Sequence, residues 1–274
     1  MSRALAVFHG RFGRATVYQL NRPFDKHAHR EGHLIFHIGG TPASIDVCEQ
    51  RFLLGEGSIV AVNPWEPHNF LPNDFGSGAT FFVLYVNAEW FAPKAANHTL
   101  RFGRNFFRRT EALDRGIRRA AALVCGAPSL SCLDGELRQL IDSCYEESWQ
   151  VRESEQEKRF CSAITDFRVR KCIKLMSESP CAEVEFDTIA RESGLSRPHF
   201  YRLFRHQTGV TPNLYLKTLL MERALDALVA TEAPIADIGF DLGFSSQSVF
   251  TRFFAANVGM APTDYRRAAK VLRT

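Results

Sequence analysis

Four histidines stand within the stretch HAHREGHLIFH, residues 27–37: His27, His29, His33 and His37. Neutral imidazoles ligate zinc, iron, nickel and copper, so a cluster this dense could hold a divalent metal. It could equally floor a metal-free pocket for a small-molecule effector, or stand inert on a strand. On a continuous strand residues 27, 29 and 33 face one side, because successive side chains alternate. His37 shares that parity, but it lies about 13 Å beyond His33 at the rise of a strand, too far to share an ion.

The elements that must position these side chains read as short strands. Between residues 14 and 90, TVYQL, GHLIFHI, ASIDVC, RFLL, SIVAV and TFFVLYV are rich in β-branched and aromatic residues. Gly, Pro, Asn and Asp separate them. Strands at this spacing suggest a small barrel or a double-sheet jelly roll. Phe36, Trp65, Phe70, Phe81 and Tyr85 fall among them and either wall a pocket or fill the core, with the core as the default.

From about Glu111 the periodicity becomes helical. Leu113, Ile117, Ala120 and Leu123/Val124 form one apolar stripe; Leu133, Leu137, Leu140/Ile141 and Cys144 form a second. These helices would pack on the barrel and supply a dimer interface. The charged run VRESEQEKRF (151–160) marks the domain boundary. The expected division is a sensing barrel over 1–104, a helical dimerisation and linker segment over 105–160, and an all-helical domain over 161–274. The chain has 274 residues, 23 Phe and a formal net charge of +4. That charge permits a nucleic-acid partner without arguing for one. No apolar run approaches the roughly 20 residues of a membrane helix, and the N-terminus lacks a signal-peptide pattern. A cytoplasmic protein is expected. The seven cysteines are odd in number and form no CxxC pair, which suits buried reduced thiols.

The strongest signal is an internal repeat. Ile189, Gly194 and Ser196 match Ile238, Gly243 and Ser245 at an offset of 49. After one inserted residue, Phe200, Arg202, Phe204, Gly209, Pro212 and Tyr215 match Phe250, Arg252, Phe254, Gly259, Pro262 and Tyr265 at an offset of 50. Each copy has the form of a helix-turn-helix: a short helix ending at a glycine that tolerates a left-handed turn, a serine able to cap, then a second helix. Phe200, Leu203 and Phe204 should be buried, as should Phe250, Phe253 and Phe254. Arg197, Pro198, Tyr201, Arg202 and Arg205 are left on an exposed basic and aromatic face. Ser246, Gln247, Ser248, Thr251 and Arg252 are their counterparts, with side chains suited to base edges or phosphate. Between the copies, TPNLYLKTLLMERALDALVAT starts with Thr-Pro and stops before Pro234. It predicts a helix of about 28 Å, against about 34 Å between successive major-groove segments on one DNA face. Residues 165–274 hold 15 Lys/Arg against 12 Asp/Glu, so contact with DNA must come from where charge is placed.

Residues from about 165 to 274 resemble the DNA-binding domain of the AraC/XylS family of transcription regulators. The resemblance rests on IARESGLSRPHFYRLFRHQTGVTP, ERALDALVATEAPIADIGFDLGF and SSQSVFTRFFAANVGMAPTDYR. It implies two helix-turn-helix subdomains joined by a long helix, each presenting its second helix to the major groove. The contacts implied fall on Arg197, Pro198, Tyr201 and Arg202, and on Gln247, Ser248, Thr251 and Arg252. Pro198 departs from the family pattern, in which many members carry a larger or polar side chain there. The resemblance also implies a sequence-specific regulator, an activator in sense, with operator DNA, a small-molecule effector and RNA polymerase as partners, acting as a homodimer.

Family members often carry an N-terminal cupin-like barrel. KHAHREGHL is similar to the first cupin motif and GEGSIVAVNPWEPHNF to the second, which ends in a histidine, here His68. The implied fold is β then α: a cupin-like barrel with flanking helices followed by an all-α double helix-turn-helix. The resemblance adds His68 to a candidate set of His27, His29, His33 and His68, for Zn, Ni or Fe, or for an effector. Cupins also include metal-dependent enzymes. Catalysis would need an acid or base, for which only Glu31 and Glu66 stand near, both on expected loops.

Overall fold

A computed structural model describes residues 2–73, 78–91, 100–126, 130–149, 164–178 and 181–271. Residues Met1–Arg152 with Ala255–Thr274 form one unit, and Glu153–Phe254 form another. The charged run 151–160 and Cys161 lie outside the described residues.

The strands of the first unit are β1 (Arg3–Gly10), β2 (Gly13–Leu20), β3 (Phe24–His27), β4 (Gly32–Gly40), β5 (Ala43–Val47), β6 (Gln50–Leu54), β7 (Ser58–Val62), β8 (His68–Pro72), β9 (Ala79–Val86) and β10 (Phe106–Arg108). A C-terminal strand, β11 (Ala269–Val271), joins them, with the helices α1 (Ala88–Phe91), α2 (Glu111–Cys125) and α3 (Leu130–Trp149). They make two sheets, a seven-stranded one in the order β10-β7-β4-β9-β2-β1-β11 and a four-stranded one in the order β3-β8-β5-β6.

The seven-stranded sheet has two unlike faces. Ala15 and Val17 of β2, Leu34 and Phe36 of β4, and Phe82, Leu84 and Val86 of β9 pack in one core with Leu113, Ile117, Leu137 and Ile141 of α2 and α3. Phe36 is therefore core. The alternate residues Tyr18, Leu20, His33, Ile35, Phe81, Val83 and Tyr85 line a cavity shared with His27, His68 and Phe70 of the smaller sheet. Alternation of the pleat thus gives one strand both a packing face and a pocket face. Thr110 starts α2 by accepting the Leu113 N–H through its side chain, at 3.3 Å.

The second unit contains α4 (Phe167–Glu178), α5 (Phe186–Glu192), α6 (Arg197–Thr208), α7 (Pro212–Ala230) and α8 (Ile235–Asp241). It also holds the start of α9 (Gln247–Val258), while α10 (Pro262–Ala268) falls in the first unit. The 19-residue α7 begins at the Thr-Pro pair, its Thr211 accepting the Leu214 N–H, and ends at Thr231. Described cysteines are free, but Cys125 and Cys132 are exposed, so the expected burial holds only for others such as Cys144 and Cys172. Among the described residues, no helix is long and apolar enough to cross a membrane.

Candidate functional site

Each repeat copy folds as a helix, a left-handed glycine turn and a second helix. Gly194 follows α5 at φ +71° and Gly243 follows α8 at φ +78°, a region that costs an L side chain strain. Phe200 and Phe204 of α6, and Phe250 and Phe254 of α9, have no exposed surface. Leu203 and Phe253 are only half-buried, a correction to the stripe expected from i, i+3, i+4 spacing. Phe253 turns toward Phe244 instead, ring centroids 4.9 Å apart. The cap also differs between copies. Ser246 accepts the Val249 N–H at 3.3 Å, whereas the Ser196 side chain makes no cap bond.

The outward faces carry the residues expected there. Arg197, Pro198, Arg202 and Arg205 of α6 are exposed and Tyr201 is half-buried. Arg197 is held by Asp187 at 3.0 Å and the Tyr201 hydroxyl donates to Asn213 Oδ1 at 3.0 Å. On the second copy Gln247, Ser248 and Arg252 are exposed, with Ser246 and Thr251 half-buried. Arg202, Arg205 and Arg252 make no ion pair among the described residues. Such guanidiniums keep their full donor set for phosphate or guanine.

The histidine cluster is built differently from the single strand that parity suggested. β3 ends at His27 and β4 begins at Gly32, so residues 28–31 form a connection. The Trp65 N–H donates to the His29 carbonyl at 2.8 Å and ties that connection to the loop before β8. Trp65, at φ +65°, thus belongs to this loop. His68 pairs directly with His27 across β3 and β8. Ring centroids lie 4.3 Å apart for His27–His68, 4.9 Å for His27–His29 and 5.2 Å for His29–His68. One nitrogen from each of these three lies within 4.8 Å of the others. His33 is beside them, 4.6 Å from His68, stacked on Tyr85 at 5.0 Å. His37 is apart, bonded to the Thr41 carbonyl and edge-on to Phe81.

Backbone carbonyls decide two tautomers. His27 Nδ1 lies 2.7 Å from the Asp25 oxygen and His68 Nδ1 lies 2.8 Å from the Glu66 oxygen. A carbonyl only accepts, so each Nδ1 carries a proton and each Nε2 is left as a lone-pair donor in the neutral ring. His29 Nε2 is buried without a hydrogen-bond partner among the described residues. Burial lowers the pKa of His29 and His33 well below the ordinary histidine value, helped by neighbouring imidazoles and Arg14. Burial likewise brings His68 down to about 4. Neutral imidazole is the form that binds metal. An ion at about 2.1 Å from each nitrogen would hold the three about 3.4 Å apart, a closing of at most about 1.4 Å from their present span. The donor set fits such an ion.

Of the two carboxylates considered for catalysis, Glu66 is committed to structure. Its oxygens accept from the Asn63 backbone at 2.9 Å and from Asn105 Nδ2 at 2.6 Å. Sequence reading missed Arg14, which is buried in β2 against Tyr85. Its signal was present: it shares the pleat parity of Tyr18 and Leu20, the cavity-facing residues of that strand.

Comparison with known proteins bears on the family and the fold. Residues 14–166, more than half of the chain, match the AraC-like ligand binding domain, and residues 189–268 match a helix-turn-helix domain. The chain belongs to the AraC family. Regulatory protein SoxS of Salmonella typhimurium is 34% identical over 98 residues, 36% of this chain and 92% of that protein. The HTH-type transcriptional activator RhaS of Escherichia coli is 35% identical over 85 residues, 31% of each chain. ToxT of Vibrio cholerae shares the two-domain fold, with a TM-score of 0.59 at 14% identity over 93% of this chain and 96% of that one. This AraC-family chain is thus a DNA-binding transcription regulator with an N-terminal ligand-binding domain, and its relatives are regulators and not enzymes.

Proposed function

We propose that this regulator activates transcription at an operator read by α6 and α9, and that a divalent transition metal held by His27, His29 and His68 sets its output. The observation that carries the metal reading is the convergence of three buried imidazole nitrogens, two of them with tautomers preset by backbone carbonyls. Carbonyl-oriented imidazoles of this kind are the usual outer support of histidine metal sites. Zinc, nickel and iron(II) suit the donor set. His33 stands next to the three and would serve as a fourth donor or as a bond to a metal-bound water.

Arg197, Pro198, Tyr201, Arg202 and Arg205 supply the first reading surface in this scheme, and Ser246, Gln247, Ser248, Thr251 and Arg252 the second. RNA polymerase is the partner through which an activator acts, in the cytoplasm where the operator is. A homodimer would double the base pairs read. The apolar stripes of α2 and α3 face the sheet, so the dimer contact falls to their outer groove, lined by Ala122, Leu123, Gly126 and Cys132.

The walls of the cavity support a second reading. Phe24, Phe70, Phe81 and Tyr85 would accept a small organic effector with or without an ion. A ToxT structure contains a bound unsaturated fatty acid, which gives that protein a precedent for an apolar ligand. Elemental analysis of purified chain, followed by selection of bound duplexes with and without added metal, separates the two. One ion per chain and metal-dependent occupancy support the metal; occupancy that answers only to an organic compound supports the second reading. Sedimentation of the free and duplex-bound chain checks the dimer.

A further inference from the structure

The two repeat copies differ in what their closing turns touch. Gly209 ends α6 at φ +78°, and a Cβ there would meet nothing within 4 Å. Gly259 ends α9 at φ +80°, yet the ring of Phe24 occupies the place of its Cβ, at 2.1 Å. The tyrosines that follow differ as well. Tyr215 packs edge-on against Phe204 of its own copy, with ring centroids 5.4 Å apart. Tyr265 is completely buried, and its hydroxyl lies 2.9 Å from His9 Nε2 and 3.4 Å from Arg14 Nη1. Beyond it, β11 pairs in parallel with β1, Ala269 opposite Val7 and Val271 opposite His9.

Arg14 is itself unusual. It is 6% exposed, stands 3.7 Å above the Tyr85 ring and makes no ion pair with a carboxylate among the described residues. Its Nε has no hydrogen-bond partner there either. A buried cation with no carboxylate in contact is expensive and holds only while its surroundings hold it. Here the groups in contact are phenols, Tyr85 on one side and Tyr265 on the other, with the Glu31 carboxylate adding attraction without touching.

Strand register connects this cation to the histidines. His9 pairs with Arg14, Arg14 with Tyr85, and Tyr85 with His33, a single row across β1, β2, β9 and β4. A second path starts at Phe24, which lines the cavity 6.3 Å from the His27 ring and meets Gly259. Both paths lead from the histidine cavity to residues 259–271. The helix-turn-helix match runs to residue 268, so its last helix lies within the compact unit that senses.

We propose that residues 259–271 are the output latch of the cavity: a divalent cation on the histidines weakens the hold of Arg14 and Phe24 on this segment and releases it. The inference rests on the metal reading above. The Tyr85 ring stands between Arg14 and His33, 3.7 Å below the guanidinium and stacked on His33 at 5.0 Å, so a dication placed on the histidines opposes the buried guanidinium. Once Arg14 no longer holds Tyr265, the segment that directly follows reading helix α9 gains freedom; held, it restrains that helix through the three residues of the turn.

The test is amide hydrogen exchange of the full chain with zinc as the probe, with bound zinc measured by dialysis in the same samples. Zinc should speed exchange in 259–271 by about five-fold or more, the lower end of ordinary allosteric coupling. Tyr265→Phe, which keeps the ring and removes the hydroxyl, should speed exchange there without zinc and abolish most of the zinc response. Tyr215→Phe, at the matching position, should change neither. One bound zinc per chain with unchanged exchange in 259–271 overturns the latch and leaves the metal reading standing. Absence of bound zinc overturns both. An equal effect of Tyr215→Phe would show general loosening and also overturn the latch.

Discussion

His27 and His68 are directly opposed residues of neighbouring antiparallel strands, their ring centroids 4.3 Å apart. Two imidazoles brought this close by backbone register cannot both be charged without strong repulsion, and burial already keeps His68 neutral. Register thus delivers two nitrogen donors to one point, and His29 completes the set from the connection after β3.

Removal of a ligand should therefore be severe and selective. His68→Ala or His27→Ala is expected to lower zinc affinity by at least about 100-fold, beyond the 10–100-fold typical of an outer-shell change. His37→Ala should leave affinity unchanged, since its ring bonds Thr41 outside the cluster. Competition titration against a chromogenic chelator reads both; equal loss in the two variants would refute the assignment.

The reading helices make a second prediction. Arg202 and Arg252 occupy the same position in the two copies, exposed and unpaired among the described residues. Each change to Ala should cost about 1–3 kcal/mol of operator binding if the guanidinium reads a base, and should lower the salt slope by about 1 if it meets a phosphate. Affinity measured against a selected duplex at several salt concentrations distinguishes the two, and no change in either quantity excludes both roles.

Packing of the repeat predicts its stability. Phe200 and Phe250 are fully buried and centre the aromatic clusters of their copies. Truncation of either to Ala should destabilise by about 3–5 kcal/mol through lost transfer energy and the cavity left behind. Half-buried Leu203→Ala should cost clearly less. Denaturant midpoints of the three variants check the order.

His9 gives a pH dependence with a definite sign. Burial, aided by Arg14, lowers its pKa from 6.5 to about 3. The unfolded chain therefore takes up the proton first as pH falls. The stabilisation is complete above about pH 6.5 and is lost progressively toward about pH 3, with a slope of at most about 1.4 kcal/mol per pH unit. His9→Gln should flatten that part of the profile, visible in urea midpoints between pH 7 and pH 4.

The repeat was legible because it stamps one physical pattern twice: glycine turn, buried phenylalanines and outward arginines recur at nearly constant offset. Strands β2, β4, β5, β6, β7 and β9 announced themselves by β-branched and aromatic runs. β3 and β8 did not, being four and five residues long with Pro or His at their ends. β11 had no local signal at all, since the AKV that forms it continues a helical-looking tail and becomes a strand only because β1 offers it an edge. His27, His29 and His33 were visible as a cluster, but their convergence comes from a break in the strand that spacing alone does not reveal. Arg14 was overlooked for the same kind of reason: a basic residue next to a turn glycine looks like surface until pleat parity turns it inward.

The pairing of β11 with β1 has a practical consequence. Without β11 the sheet would have six strands and end at β1, whose Val7, Phe8 and His9 would show unpaired backbone groups. Open edges of that kind recruit other chains. A sensor fragment cut at the charged run after α3 therefore loses its edge guard and should self-associate, whereas adding back a peptide of residues 259–271 should keep it dispersed. Dissecting this regulator into halves is consequently a question of colloidal behaviour as much as of folding.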